Sequence, residues 1–237
     1  MSGPPQLHAL IPAAGRSLRF GGEAPKQYAR LLGRPVIAHS IDALRRHVAV
    51  RGVTVVLAPD DRLFEEQVRP AFADVGTATG GDSRARSVLN GLEAIARTDP
   101  ACEWVLVHDA ARPCLGRDEL ERLVGEGIDS ADGAILAVPV RDTLKQADRD
   151  RRIERTVDRS VLWAAQTPQL FRLHDLAARL ADALAAGEEP TDEAGAMERA
   201  GRHPLLIEGC ATNLKITGPG DLALAEFILR RRGEGTG

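Results

Sequence analysis

Short apolar runs alternate along most of the chain with segments in which apolar residues recur at helical spacing. The runs are rich in β-branched residues, and their near-continuous apolar character is typical of strands buried on both faces of a parallel sheet. A strand at the amino-terminal end, residues 7–11, is the first of them. We predict strands at 7–11, 53–58, 104–107, 133–140 and 205–207.

The segments between these runs place their apolar residues on one side of a helix. Residues 88–95 share one such face, and Asp82 or Ser83 is the candidate capping residue before them. Asp60 is the corresponding candidate for the helix after the second strand. We predict helices at 36–48, 60–68, 83–95, 118–124, 174–186, 192–200 and 221–231. This alternation predicts a doubly wound, mostly parallel α/β sheet.

Residues 141–160 break the pattern, because most positions are charged and few apolar residues are available to attach them to a core. We expect this segment to project from the body, with a solvated surface loop as the default interpretation. The segment Gln166-Thr167-Pro168-Gln169 then predicts a turn. The 237 residues, 43% of them hydrophobic, show no repeat or linker and predict a single domain, 1–237.

Composition narrows the class of partner. The net charge of −3 and the 3% aromatic content provide neither a basic surface nor stacking platforms for nucleic acid, so we expect a small-molecule partner. Cys102, Cys114 and Cys210 lack metal-ligand spacing and fit reduced thiols better than disulfides. With neither a signal peptide nor a membrane-length apolar run, we expect a cytoplasmic protein without a membrane partner.

The first strand leads into Pro12-Ala13-Ala14-Gly15, a loop of very small side chains. A ligand can approach the backbone N–H groups of such a loop closely, and Arg16, Arg19 and Lys26 add positive charge nearby. The loop therefore predicts a site for a nucleoside triphosphate. The alternative is a simple turn with solvated arginines. The sequence matches neither a Walker A motif nor a dinucleotide fingerprint.

Polar residues also follow the later strands, at the edge where ligands bind in open parallel sheets. Asp82 and Ser87, beside paired glycines, are candidates for contacting a base or ribose; the alternative is a helix cap and a helix surface. Lys215 lies between apolar neighbours and is expected to face the cleft.

Asp109 and Arg112 directly follow the strand 104–107. A carboxylate in this position can hold Mg²⁺, which neutralises phosphate charge, or it can form a structural salt bridge with Arg112. His108, beside it, is interpreted as a hydrogen-bonded structural group rather than a general base.

Seven short motifs, in this order, closely resemble those of the 2-C-methyl-D-erythritol 4-phosphate cytidylyltransferases along nearly the whole chain. They are Pro12-Ala13-Ala14-Gly15, Pro25-Lys26-Gln27, His108-Asp109-Ala110-Ala111-Arg112-Pro113, Thr156-Val157-Asp158-Arg159, Gln166-Thr167-Pro168-Gln169, Thr191-Asp192-Glu193-Ala194 and Asn213-Leu214-Lys215. The resemblance implies a Rossmann-like nucleotidyltransferase fold. It also implies Mg²⁺-dependent transfer of CMP from CTP to methylerythritol phosphate, releasing pyrophosphate, in isoprenoid precursor biosynthesis.

The resemblance also implies roles for individual residues. Arg19, Lys26, Arg159 and Lys215 correspond to catalytic positions. The implied substrate-binding residues are Pro12, Ala13, Ala14, Gly15, Asp82, Ser87, Asp109, Arg112, Thr143, Thr167 and Thr191, with Asp109 also associated with Mg²⁺ or another divalent cation. Thr143 and Arg159 correspond to positions on a dimerisation arm, at about 139–163, that reaches into a partner's site in a homodimer. This implication replaces the solvated-loop interpretation.

The implied reaction requires no general base, because a phosphate monoester is largely ionised at neutral pH. One departure is Ser17, which stands where relatives usually carry glycine, so we expect either a loop that differs around the β- and γ-phosphates or a Ser17 hydroxyl that donates to them.

Two other functions share parts of this pattern. A ribitol-5-phosphate cytidylyltransferase has the same fold and mechanism, but the Thr156-Val157-Asp158-Arg159 motif favours methylerythritol phosphate. A non-catalytic CTP-sensing module is disfavoured because it would not need the charged residues that are all present here: Arg19, Lys26, Asp109, Arg159 and Lys215. A Rossmann oxidoreductase is disfavoured because its glycine pattern is missing.

Overall fold

The computed structural model describes residues 6–15 and 25–233. Its strands within these residues are β1 (Leu7–Pro12), β2 (Arg30–Leu31), β3 (Arg34–Pro35), β4 (Val50–Leu57), β5 (Gly76–Thr79), β6 (Trp104–Val107), β7 (Ala134–Pro139), β8 (Lys145–Ala147), β9 (Ile153–Thr156), β10 (Trp163–Arg172) and β11 (Leu205–Glu208). Seven of these strands form the central sheet, in the order β11-β7-β10-β6-β1-β4-β5. The predicted strands are therefore confirmed, with β5 and β10 added to them.

The central sheet is mostly parallel. β1 pairs in parallel with β4 and β6, β4 with β5, and β7 with β11. β10 alone among them runs antiparallel, between β6 and β7. The parallel strands β6, β1, β4 and β5 therefore end at one common edge, which is where polar residues were predicted to gather.

The helices are α1 (Val36–Arg45), α2 (Leu63–Gln67), α3 (Arg84–Thr98), α4 (Arg117–Gly127), α5 (Leu173–Ala185), α6 (Glu193–Arg199) and α7 (Pro219–Arg231). Short 3-10 turns occur at Lys26–Tyr28 and Arg69–Ala71. In the described part of the chain, no helix combines the length and apolar character needed to span a bilayer.

Helices cover both faces of the sheet, as the doubly wound prediction requires. Ile11 of β1 belongs to one apolar cluster with Ile41 of α1 and Leu123 of α4. Leu10, its neighbour on β1, belongs to a second cluster with Leu92 of α3. Successive strand residues point to opposite faces, so one apolar run supplies both cores.

Three local predictions were wrong. The helix predicted at 36–48 ends at Arg45, and Val48 is 77% exposed. The helix predicted at 60–68 shortens to α2, where Asp61 rather than Asp60 accepts the N–H of Phe64 at 3.1 Å.

The third is the turn predicted at Gln166-Thr167-Pro168-Gln169, which lies inside β10. Pairing with β7 is interrupted between Ala165 and Gln169, so Pro168 falls where the ladder needs no N–H donor. The proline and polar residues that predicted a turn therefore mark an interruption in the pairing of β10 with β7.

The segment 141–160 leaves the central sheet. Its strands β8 and β9 pair antiparallel with each other, in a two-stranded sheet separate from the other strands. Almost every residue in the segment is exposed, including Ile153 at 66%. The segment is therefore an exposed hairpin rather than an irregular loop, and its role as a dimerisation arm stays a prediction. We call residues 139–163 the arm.

Close packing of α3 on the sheet depends on Gly91. A Cβ atom at this position would lie 2.5 Å from Leu10 Cδ1 and 2.7 Å from Val56 Cγ2, and both side chains are fully buried. Gly125 on α4 provides a matched control, because a Cβ atom there meets nothing within 4 Å.

We expect Gly91→Ala to lower the free energy of unfolding by about 1–2 kcal/mol through overpacking. Gly125→Ala should raise it by about 0.5–1 kcal/mol, since alanine favours the helix. Urea denaturation of both variants measures the difference. Equal stabilisation by the two substitutions would show that α3 does not contact the sheet this closely.

Candidate functional site

A cleft of about 610 Å³ opens where β6, β1, β4 and β5 end. Its lining consists of residues 12–15, 26–27, 58–59, 81–84, Ser87, 109–111 and Lys215. Four of these segments directly follow the four parallel strands. The cleft therefore lies at the position where open α/β sheets bind their ligands.

The loop after β1 is fixed from both sides. The N–H of Ala13 donates to Val56 O at 2.8 Å, and Gln27 Nε2 donates to Ala13 O at 2.8 Å. Ala14 and Gly15 continue from this anchored residue along the cleft. Their small side chains leave the loop backbone accessible to a ligand.

The loop after β5 lies against the loop after β1, and Gly80 permits this approach. A Cβ atom on Gly80 would lie 2.5 Å from Ala14 Cβ and 2.9 Å from Ser87 Oγ. Ser87 Oγ accepts the N–H of Gly81 at 3.0 Å and donates to Ser83 O at 2.8 Å. The Ser87 hydroxyl therefore braces the turn while also lining the cleft.

Ser83, not Asp82, caps α3. Its hydroxyl accepts the N–H of Arg86 at 3.1 Å. Asp82 is exposed and lines the cleft. The capping alternative for Asp82 is therefore wrong, and its carboxylate faces the space where a ligand would bind.

Asp109, which follows β6, is surrounded by three cations. Its Oδ2 lies 3.0 Å from Lys215 Nζ and 3.3 Å from Arg112 Nε, and its Oδ1 lies 3.6 Å from Arg84 Nη2. Burial alone would raise the pKa of Asp109. Lys215 and Arg84, followed by Arg112, outweigh burial and hold this pKa well below its usual value. Asp109 is therefore ionised throughout the physiological pH range.

Arg84 connects this cluster to α6. Its Nη1 lies 2.6 Å from Glu193 Oε1, and its Nη2 lies 3.1 Å from Glu193 Oε2. Glu193 is only 1% exposed. Burial works against the charge on Arg84, but Glu193 raises the pKa of the guanidinium above its ordinary value. The pair is a two-bond ion pair at the inner side of the cleft.

His108 lies behind Asp109 and is fully buried. Thr167 Oγ1 accepts the N–H of Asp109 at 3.0 Å and lies 3.0 Å from His108 Nδ1, and His108 Nε2 lies 3.0 Å from Arg112 O. The threonine proton is thus directed to Nδ1, which leaves Nε2–H to donate to the carbonyl. Burial lowers the pKa of His108 to about 4. The neutral ring supports the backbone, as predicted.

The family model for IspD, 2-C-methyl-D-erythritol 4-phosphate cytidylyltransferase, matches residues 7–231. The chain belongs to this family. A 2-C-methyl-D-erythritol 4-phosphate cytidylyltransferase from Stenotrophomonas maltophilia (strain K279a) is 52% identical over 226 residues, covering 95% of this chain and 97% of the relative.

Solved structures show the same IspD fold. A structure described as 4-diphosphocytidyl-2C-methyl-D-erythritol synthase has a TM-score of 0.83 and 43% identity, covering 96% of this chain and all of that one. The Francisella tularensis 2-C-methyl-D-erythritol 4-phosphate cytidylyltransferase has a TM-score of 0.79 and 31% identity, covering 94% and 100%. The resemblance found in the seven motifs is confirmed.

The cleft brings together most of the residues predicted for this IspD chain. Those lining it are Pro12, Ala13, Ala14, Gly15, Lys26, Asp82, Ser87, Asp109 and Lys215. Arg112 lies behind them, where it contacts Asp109 and donates to Asn213 O at 2.6 Å. Arg16, Ser17 and Arg19 lie outside the described residues, so the predictions for them stay predictions.

Besides Arg112, four other predicted residues lie away from the cleft lining. Thr143 and Arg159 are exposed on the arm, where Arg159 donates to Arg141 O. Thr191 is exposed before α6. Thr167 is 5% exposed and its hydroxyl is engaged by His108 and Asp109, so it supports the site from behind.

Sequence reasoning missed Gln27, Arg84 and Glu193. Gln27 lay within a quoted motif beside Lys26, which was the available signal, whereas its burial is visible only in the structure. Arg84 directly follows the capping serine, but nothing local connects it to a partner 109 positions away. Glu193 also lay within a quoted motif and was given no role.

The buried His108 predicts a specific pH dependence of stability. In the unfolded chain its pKa returns to about 6.5, so the unfolded state binds this proton more readily than the folded state, where the pKa is about 4. The contribution of neutral His108 to the free energy of unfolding is therefore fully present above about pH 6.5 and decreases as the pH falls towards 4. We expect wild type to lose about 2 kcal/mol more stability than His108→Gln between pH 7.5 and pH 5.

Urea denaturation at both pH values measures this loss. His203→Gln is the matched control, because His203 is exposed and its removal should leave the wild-type dependence unchanged. Parallel pH profiles for wild type and His108→Gln would mean that His108 is not held neutral in the fold.

Proposed function

We propose that the chain transfers the cytidylyl group of CTP to 2-C-methyl-D-erythritol 4-phosphate and releases pyrophosphate, in isoprenoid precursor biosynthesis. One observation carries the proposal. The cleft of this IspD family member joins a small-residue loop, Lys26 and Lys215 around the ionised Asp109 at a single sheet edge. Such a site suits a polyanionic nucleotide.

The two loops that meet at Gly80 suggest how CTP is divided between them. The backbone of 13–15 is open to phosphate oxygens, and Lys26 lies beside it on the cleft wall. The turn at 81–87 carries the exposed Asp82 and is the side for the cytosine and ribose. In this arrangement the α-phosphorus lies between the loop and the Asp109 cluster.

The chemistry then needs alignment rather than proton transfer. The acceptor is a phosphate monoester with a second pKa of about 6, so its oxygen is already a nucleophile at neutral pH. That oxygen forms a bond to the α-phosphorus, and the bond from the α-phosphorus to the bridging oxygen breaks, which releases pyrophosphate. Lys26, together with Arg19, stabilises the charge that develops on the phosphate oxygens.

Asp109 is the residue that would hold Mg²⁺ or another divalent cation. In residues 6–15 and 25–233, no group of three or more histidine, cysteine or acidic side chains could hold a metal by itself. The residues nevertheless fit the ion, since Mg²⁺ is commonly bound by one carboxylate together with phosphates and water. The shorter ion pairs use Oδ2, leaving Oδ1 with the 3.6 Å contact to Arg84. When bound, Mg²⁺ neutralises triphosphate charge.

The arm supports a homodimer as part of the proposal. It places Thr143 and Arg159 away from the cleft of their own chain, and it exposes Ile153 and Val161 at 66% and 77%. An exposed hairpin with apolar side chains is suited to covering by another chain. In a homodimer Arg159 would supply positive charge to the acceptor phosphate in the partner's cleft.

Pyrophosphate release with CTP and Mg²⁺ tests the reaction, with methylerythritol phosphate and ribitol phosphate as alternative acceptors. We expect wild type to use methylerythritol phosphate, and Lys26→Ala to lower kcat about 10²- to 10³-fold, because one oriented group on the developing charge is lost. Folding, followed by circular dichroism, should be unchanged.

Arg97→Ala is the control, because Arg97 is an exposed cation in the last turn of α3. Preference for ribitol phosphate would reassign the acceptor. Nucleotide binding without turnover of either acceptor would favour the sensing function, and wild-type turnover by Lys26→Ala would remove its role in the transition state.

For the arm, we expect Arg159→Ala to raise KM for methylerythritol phosphate about tenfold or more, while KM for CTP changes little. A charge-assisted phosphate contact is worth roughly that much. Arg149→Ala, a neighbouring exposed arginine in the same hairpin, is the control. Sedimentation should show a dimer; a fully active monomer would contradict exchange of the arms.

A further inference from the structure

We infer that Arg84 is a positioning residue for Asp109, and that buried Glu193 holds Arg84 in place. The inference rests on the proposed function, because it assigns a task to two residues beside the proposed site. It starts from the ion pair at the inner side of the cleft. Glu193 does not line the cleft, so any effect on substrates acts through Arg84.

The first support is the geometry of the guanidinium. Two bonds to Glu193, at 2.6 and 3.1 Å, fix its plane, and the same Nη2 then lies 3.6 Å from Asp109 Oδ1. A planar fork held at two points has little rotational freedom left. Arg84 therefore offers Asp109 a cation in a set direction.

The second support is the rigidity of the carboxylate that holds Arg84. Gln169 on β10 accepts the N–H of Ala194 at 2.8 Å and donates to Asp192 Oδ2 at 3.0 Å, and Asp192 Oδ1 caps α6. Gln169 also pairs with Val107, two residues before Asp109. The start of α6 is thus tied to β6, the strand just before Asp109, and Glu193 lies between Asp192 and Ala194, the two residues that Gln169 contacts.

The third support is the division of contacts on Asp109. Arg84 approaches Oδ1, whereas Arg112 and Lys215 approach Oδ2. Without a cation at Oδ1, the carboxylate is free to rotate between its two remaining partners. Arg84 therefore sets the angle of the carboxylate plane, and with it the position of the Lys215 ammonium.

The decisive variant replaces both charges, Arg84→Met with Glu193→Met. Removing a buried ion pair together leaves no unpaired charge and is often neutral for stability. A positioning role predicts a melting temperature near that of wild type, a kcat at least about tenfold lower and smaller changes in both KM values, since slight misplacement of reacting groups is costly. A double variant with both the melting temperature and the kcat of wild type would overturn the inference and leave the ion pair a structural role.

Two further variants keep the inference testable if the double variant does not fold. Arg84→Lys keeps the charge but cannot make the two-bond contact, so its kcat should also fall at least about tenfold; a wild-type kcat would overturn the inference. Arg45→Met with Asp74→Met is the control, because this pair also makes two bonds, at 3.2 and 2.8 Å, and lies outside the cleft. Its kcat should match that of wild type.

A readout without turnover separates this inference from the proposed function. In crystal structures of wild type and Glu193→Gln, the contact between Asp109 Oδ2 and Lys215 Nζ should lengthen in the variant from 3.0 Å to beyond about 4 Å. An unchanged contact overturns the positioning role, whatever the acceptor. If wild type were inactive but the Asp109–Lys215 contact still lengthened in Glu193→Gln, the proposed reaction would be rejected and the positioning role would stand.

Discussion

The site depends on keeping one carboxylate ionised inside the protein. Asp109 is 8% exposed, and burial alone would favour its neutral form. Arg84, Arg112 and Lys215 prevent this, and they come from the start of α3, the segment after β6 and a loop near the end of the chain. Arg84 is also bound to Glu193, and Arg112 donates to Asn213 O, so the charge balance at Asp109 connects several segments around the cleft.

The sequence alone predicted the sheet edge well, because the signals there are local. An apolar run that stops at a polar residue marks both the strand and its functional end, as β6 and Asp109 illustrate. Lys215 lines the cleft as expected, although residues 214–217, interpreted as following a strand, belong to no strand. Pairing between Arg84 and Glu193 has no local signature, since 109 positions separate them.

Three further features were not evident from the sequence. Residues 166–169 contain proline and polar groups typical of turns, yet tertiary pairing on both sides retains them within β10. Thr167 was assigned to substrate by resemblance; in the structure it is 5% exposed, and its hydroxyl contacts His108 and the N–H of Asp109. In the arm, the charge content predicted departure from the core, but hairpin pairing could not be read from so few apolar positions.

The position of Lys215 in the chain has a consequence for how the cleft is completed during synthesis. Chains emerge from the amino terminus, so β1, β4, β5 and β6 are available before β10, Glu193 or Lys215 has been made. Until then Asp109 has only Arg84 and Arg112 beside it, and Arg84 lacks its own anchor. During synthesis, the four parallel strands of the cleft are therefore present before the charges around Asp109 are balanced, and that balance is complete only once Glu193 and Lys215 have been made.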